Sequence, residues 1–253
     1  MRALVTGAAH GLGRSLIEQL LADGHDVIAV DRDIDPLEEL VVSSRGACRA
    51  YLVDMANPES ISRFFDRTRE MTFDLVILNA GISATGKFED IPSGAYERLI
   101  AVNATAPIRL AAQLVGGGQM NPKSRIVFVS SLSHAVGYPG ASVYAATKDA
   151  IAIYAKSVRK PFKKRGTRVL TVFPGPIRTD HAEKYAPAGA KASKRMDPEK
   201  LAAMILKAAK SKSWELWPGT AAQLAKMAAS MAPGLTLSAM RKAIFDKLNG
   251  PVF

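Results

Sequence analysis

Thr6-Gly7-Ala8-Ala9-His10-Gly11-Leu12-Gly13 follows directly on the apolar run Ala3–Thr6 and opens an amphipathic stretch that extends to Asp23. Three glycines crowd one turn. Glycine lets the chain bend tightly and leaves no Cβ in the way of a ligand. A helix beginning here would point unpaired N–H groups and a positive dipole end into that turn, which suits a phosphate or pyrophosphate. The same glycines would also serve a plain tight turn. The spacing is G-x-x-x-G-x-G, not the G-x-G-x-x-G of the general dinucleotide fingerprint.

Outward from this turn the chain alternates. Val27–Asp31, Arg49–Val53, Leu75–Leu78, Arg125–Ser130 and Val169–Phe173 are short and almost continuously apolar, as strands buried on both faces are. Helical patterns lie between them, over about Gly11–Asp23, Pro58–Glu70, Ala95–Val115 and Tyr144–Arg165. The alternation predicts an α/β fold: a doubly wound, Rossmann-type parallel sheet of about seven strands with helices on both faces. Trp214–Pro218 is the candidate last strand. Asp197-Pro198-Glu199 predicts a helix start with Asp197 as its cap. A helical extension then carries Leu224, Met227 and Met231, and after Pro233-Gly234 Leu237, Met240, Ile244 and Leu248 at helical spacing. No linker or repeat divides the chain, so residues 1–253 are expected to form one domain, with 179–212 a lid region and 219–253 a helical tail.

The 253 residues are 48% hydrophobic and 23% charged, with a formal charge of +11. No apolar run reaches the roughly 18 residues of a membrane span. The start of the chain reads directly as a first strand, so no cleavable leader is expected, and the single cysteine, Cys48, excludes an intrachain disulfide. A cytoplasmic protein is the expectation. The basic charge admits an anionic partner, but no nucleic-acid-binding motif accompanies it, and none is expected to bind.

Strand ends carry the candidate binding groups. Asp31 closes the second strand, where a carboxylate can accept hydrogen bonds from ribose hydroxyls and repel the extra phosphate of NADP. Arg32 next to it pulls the other way. NAD is the favoured cofactor and NADP the alternative. Asp54 could reach an adenine or cap the helix near Pro58. Asn79-Ala80-Gly81 ends the fourth strand, at the edge where such sheets bind ligands.

Tyr144 and Lys148 stand four apart, on one face of a predicted helix. Free tyrosine ionises near pH 10. A neighbouring ammonium favours phenolate, so the pair is a plausible acid–base device. Ser131, thirteen residues earlier, ends the fifth strand and could hold a substrate oxygen. Asn103 falls mid-helix, a poor place by propensity, either for function or to satisfy a buried backbone group.

Taken in order, Thr6-Gly7-x-x-x-Gly11-x-Gly13, Asn79-Ala80-Gly81, Asn103, Ser131, Tyr144-x-x-x-Lys148 and Pro174-Gly175-Pro176-Ile177-Arg178-Thr179 make residues 1–180 resemble the short-chain dehydrogenase/reductase family. The resemblance implies hydride transfer between NAD(P) and an alcohol or ketone. It implies Tyr144 as the acid–base and Lys148 as the residue that lowers its pKa and binds the nicotinamide ribose. Ser131 would fix the substrate oxygen, and Asn103 would hold a proton-relay water. Cofactor contacts are implied for Gly7, Ala9, His10, Gly11, Leu12, Gly13, Asp31, Arg32, Asp54, Met55, Asn79, Ala80 and Gly81. They are implied equally for Pro174, Gly175, Ile177 and Thr179. A homodimer or homotetramer is the implied assembly. Two departures stand out. Leu78 replaces a common asparagine, and Pro161 lies within the catalytic helix, predicted to kink or stop near Lys160.

Lys156, Arg159, Lys160, Lys163, Lys164, Arg165 and Arg168 form a basic run that suits a helix C-terminus or an anionic partner. The predicted loop Thr179–Arg195, with His181, Lys184, Tyr185, Lys191, Lys194 and Arg195, could steer an anionic substrate by charge. The tail could pack on its own domain or a partner subunit, or rest on an anionic membrane surface. A dinucleotide-binding regulator or scaffold without turnover is the alternative to an enzyme.

Overall fold

A computed structural model describes residues 1–186, 189–248 and 250–253. Pro187 and Ala188 of the expected lid loop, and the side chain of Lys194, lie outside the described residues. The first half runs β1 (Arg2–Thr6), α1 (Gly11–Ala22), β2 (Asp26–Asp31), α2 (Ile34–Ser43), β3 (Cys48–Leu52), α3 (Pro58–Thr68), β4 (Phe73–Leu78), α4 (Ser93–Ile100) and α5 (Ala106–Gly116). The second half runs β5 (Met120–Val129), α6 (Ser133–Val136), α7 (Ser142–Lys164), β6 (Arg168–Val172), α8 (Asp180–Lys184), α9 (Pro198–Lys210), β7 (Glu215–Leu216), α10 (Thr220–Met231) and α11 (Pro233–Ala243).

The strands form one parallel sheet in the order β3-β2-β1-β4-β5-β6-β7. Alternate residues of each strand feed opposite faces. Leu4, Ile28, Val30, Val76, Ile126 and Phe128 pack with α3, α5 and α7. Ala3, Val5, Val27, Ala29, Ile77 and Val127 pack with α1, α2 and α9 on the other side. Chain order reverses between β1 and β4, and a crevice opens beyond their carboxyl ends.

Several elements differ from the sequence expectation. Helix α2 was not predicted, because it buries only Leu37 and Leu40 and carries Pro36 in its first turn. Proline is tolerated there because a first-turn N–H has no helical partner. The helix expected over Ala95–Val115 is interrupted by a π segment at Ala101–Thr105. Pro107 has no N–H to return to the Asn103 carbonyl, so the regular ladder cannot pass through. By length and composition the stretch 93–116 could cross a membrane, but 56% of its most apolar 18-residue window is buried in this fold.

Helix α7 runs on through Pro161 to Lys164 instead of stopping near Lys160. The proline lies in the last turn, where Phe162 is 8% exposed and packed into the core. Burial of that ring opposes fraying at the cost of one backbone bond.

The helix expected to start at Asp197-Pro198-Glu199 is α9; it lies within the region expected as the lid, yet its Leu201, Ala202 and Ile205 are fully buried. Asp197 is its N-cap by position but makes no side-chain cap bond. Its carboxylate instead pairs with Arg178. The remaining lid is not a plain loop: α8 is capped by the Thr179 Oγ1, which accepts from the Ala182 N–H at 3.1 Å.

The tail packs on its own domain. Trp217 stacks on Phe173 at 4.1 Å, and Lys226 lies over the Trp217 ring while donating to Glu215 at 3.2 Å. The chain end returns to the crevice: Thr85 and Val252 exchange backbone hydrogen bonds of 2.9 and 2.8 Å. Leu224, Met227, Met231 and Leu235 remain exposed on the outer side of the tail.

Candidate active site

The glycine turn is built by close contact. Gly7 and Gly11 have φ of +68° and +48°, in the left-handed region. A Cβ on Gly13 would lie 1.8 Å from the Gly7 carbonyl oxygen, and one on Gly11 would lie 2.7 Å from Thr179 Cγ2. Gly13 is therefore a packing residue that brings α1 onto the turn. Gly11 lets the base of the lid approach it. His10, the N-cap of α1, makes no side-chain cap bond. It pairs instead with Asp33 at 3.0 Å, which leaves the first-turn N–H groups without a side-chain acceptor.

A continuous cavity of about 840 Å³ extends from this turn across the strand ends. Gly7, His10, Gly11 and Leu12 line one end, with Asp31, Arg32, Asp54 and Met55 beside them. Asn79, Ala80 and Gly81 line the middle. Ser131, Tyr144 and Lys148 face the other end, with Pro174, Gly175, Ile177 and Thr179 on the lid side. Three predicted site residues do not line it. Ala9 and Gly13 lie beneath the turn. Asn103 is fully buried behind it, where its amide bonds both backbone groups of Ile82 and the Thr147 hydroxyl.

Asp31 is held by the backbone. Oδ2 accepts from the Ala9 N–H at 2.9 Å, and Oδ1 from the Arg32 N–H at 2.7 Å. The half-exposed Arg32 side chain approaches Asp33 at 3.9 Å. Asp54 does not cap α3. Asn57 does, accepting from Glu59 and Ser60 at 2.9 and 3.2 Å. Asp54 pairs with Arg98, also on the cavity wall, at 3.2 Å. Asn79 Nδ2 donates to the carbonyls of Thr6 and Gly7 at 3.1 Å, tying β4 to the glycine turn.

At the far end, Tyr144 and Lys148 share the inner face of α7. The Lys148 Nζ donates to the Val129 carbonyl at 3.0 Å and lies 6.0 Å from the Tyr144 ring centre. Desolvation pulls Lys148 down to about 8. Desolvation pushes Tyr144 up to about 12, against a lowering by the Ser131 hydroxyl and with a further raise from Tyr138. The expected lowering of the tyrosine is therefore not found, because loss of water around the phenol dominates. Tyr138 meets Tyr144 edge to face at 6.2 Å.

Among the cavity residues not foreseen as site residues are Arg98, Tyr138, Met240 and Ile244. The last two belonged to a recognised apolar stripe. Nothing in that spacing told that the chain end folds back over the crevice.

The short chain dehydrogenase family model matches residues 1–189. The "NADPH-dependent 1-acyldihydroxyacetone phosphate reductase" of Saccharomyces cerevisiae is 32% identical over 187 residues, covering 72% of this chain and 63% of that protein. The chain thus spans less than two thirds of that relative's length. A short-chain dehydrogenase from Sphingobium yanoikuyae, solved in complex with NADPH, superposes with a TM-score of 0.77 at 27% identity, covering 91% of this chain and 93% of its own. A short-chain dehydrogenase from Streptomyces avermitilis superposes with a TM-score of 0.80 at 26% identity, covering 95% and 96%. With its sheet order and the family match over most of its length, this chain belongs to the short-chain dehydrogenase family.

Proposed function

We propose that this protein interconverts a ketone and a secondary alcohol with NAD(H), using Tyr144 as the proton donor and acceptor. The observation that carries the reading is the continuous cavity joining the glycine turn and Asp31 to Ser131, Tyr144 and Lys148. The residues present fit a dinucleotide. The turn packs without Cβ atoms, the α1 N–H groups have no side-chain cap, and a carboxylate stands at the end of β2. Asp31 and Asp33 both border that end, and Arg32 is partly neutralised by Asp33. Two carboxylates oppose a 2′-phosphate, which favours NAD over NADP.

When bound, a reduced nicotinamide supplies the hydride that turns the carbonyl carbon into an alcohol carbon, and is itself oxidised. Ser131 and Tyr144 hold the carbonyl oxygen. As negative charge builds there, the Tyr144 O–H breaks and its proton passes to that oxygen. The phenolate left behind is stabilised by Ser131 and regains a proton from solvent. A phenol pushed up to about 12 by burial is protonated at neutral pH, the state from which it donates its proton to the carbonyl oxygen.

Titration of NADH and NADPH against the wild type and Asp31→Ala tests the cofactor end. Tighter NADH binding is expected, with NADPH gaining in the variant. Tighter NADPH binding by the wild type would assign the pocket to Arg32. Tyr144→Phe is expected to abolish carbonyl reduction while NADH still binds.

A further inference from the structure

Arg195 follows the short 3-10 turn at Ala192–Lys194, and its side chain is only 6% exposed. One terminal nitrogen, Nη1, donates to Glu183. The other, Nη2, is buried with no hydrogen-bond partner among the described residues. Removing a cationic donor from water without an acceptor is costly, more so than for a neutral group. Native structures seldom leave such a donor unmatched unless something else supplies the acceptor.

The position of Arg195 indicates what that is. It lines the cavity at the substrate end, alongside Tyr138 and Tyr144. The nearby guanidinium lowers the Tyr138 pKa against the raise from burial. His181, Lys191 and Asp180 line the same cavity, and Glu183 is the carboxylate paired with Arg195. Glu183 is 63% exposed, so solvent screens its hold on the guanidinium. A planar guanidinium with a free edge fits the paired oxygens of a carboxylate or phosphate.

We propose that Arg195 anchors an anionic group of the substrate, a carboxylate or phosphate borne on the same molecule as the carbonyl that faces Tyr144. This rests on the ketone-reducing reading for the identity of the reacting group, but the anion site can be tested without turnover.

The experiment is calorimetric titration of the cofactor-free protein and of its NADH complex with matched pairs. 4-Oxopentanoate is set against its methyl ester, and dihydroxyacetone phosphate against dihydroxyacetone. At least tenfold tighter binding of the charged member is expected for one pair. Arg195→Met is expected to reduce that ratio to near one, and Arg195→Lys to restore part of it. If Arg195→Met proves unfolded by circular dichroism, Glu183→Gln serves instead. It removes the competing carboxylate and is expected to tighten the charged ligand severalfold over the neutral one. The pair that discriminates distinguishes carboxylate from phosphate. Equal binding within both pairs, or discrimination that survives Arg195→Met, would overturn the proposal. So would an unaltered ratio in Glu183→Gln. Discrimination without any NADH binding or reduction would leave the anion site standing and remove the proposed reaction.

Discussion

Asn103 clamps Ile82 by both backbone groups: its Oδ1 accepts from the Ile82 N–H at 2.8 Å, and its Nδ2 donates to the Ile82 carbonyl at 2.9 Å. The clamp crosses from the π segment to the loop that follows β4. It sets Gly81 against the Lys148 ammonium, where a Cβ would come within 3.0 Å of Nζ. The asparagine thus shapes the floor on which the acid–base pair rests.

Asn103→Ala leaves both part-buried backbone groups of Ile82 without their partners, at a cost of up to about 1–3 kcal/mol each. A clear fall in melting temperature is expected, with a larger loss in kcat than in NADH affinity. An unchanged melting temperature would show that the clamp contributes little to the fold.

Gly13→Ala places a methyl group 1.8 Å from a backbone oxygen that cannot swing aside. Overpacking of this kind costs about 1–3 kcal/mol or more, and displacement of α1 is expected to weaken NADH binding as well. Gly24→Ala is the control, since its Cβ meets nothing within 4 Å and only the backbone strain at φ +74° is felt. Thermal melts and NADH titration of both variants check the contrast.

Lys148, lowered to about 8, loses its charge as pH rises through that value. Tyr144, near 12, stays protonated throughout that range. For carbonyl reduction, kcat/KM, which reports groups of the free enzyme, is therefore expected to fall as pH rises through about 8. Lys148→Met should be slow and lack this descent. A descent that persists in the variant would assign it to another group.

Arg125, 4% exposed on β5, donates to the carbonyls of Ala208 and Ser211 at 3.4 and 3.1 Å and to that of Ser213. Its guanidinium closes the C-terminal end of α9, where helical carbonyls lack partners. Burial beside Arg168 lowers it to about 10. Arg125→Met is expected to cost about 1–3 kcal/mol for the carbonyls left bare, seen as a fall of about 2–4 °C in melting temperature per kcal/mol. An unchanged melting temperature would show that water replaces the guanidinium freely.

Local signals in the chain were enough to decide the parallel sheet, because strands buried on both faces must be apolar almost without interruption. They were enough also for the glycine turn and the Tyr144–Lys148 face, which depend on spacing along one helix or one turn. Other features rest on contacts between distant segments. Asp54 could have capped α3 by position; Asn57 and Arg98 decided otherwise. Asp197 could have capped α9, but Arg178 takes its carboxylate. Pro161 should stop a helix in isolation, yet the burial of Phe162 carries α7 past it. The Tyr144 pKa moved opposite to the expectation because a sequence shows which charge lies four residues away but not how much water surrounds the phenol. The cavity wall from Met240 and Ile244, and the unmatched nitrogen of Arg195, exist only because the chain end and the lid fold back over the crevice. Desolvation and long-range packing are properties of the assembled chain, and there tertiary structure alone decides.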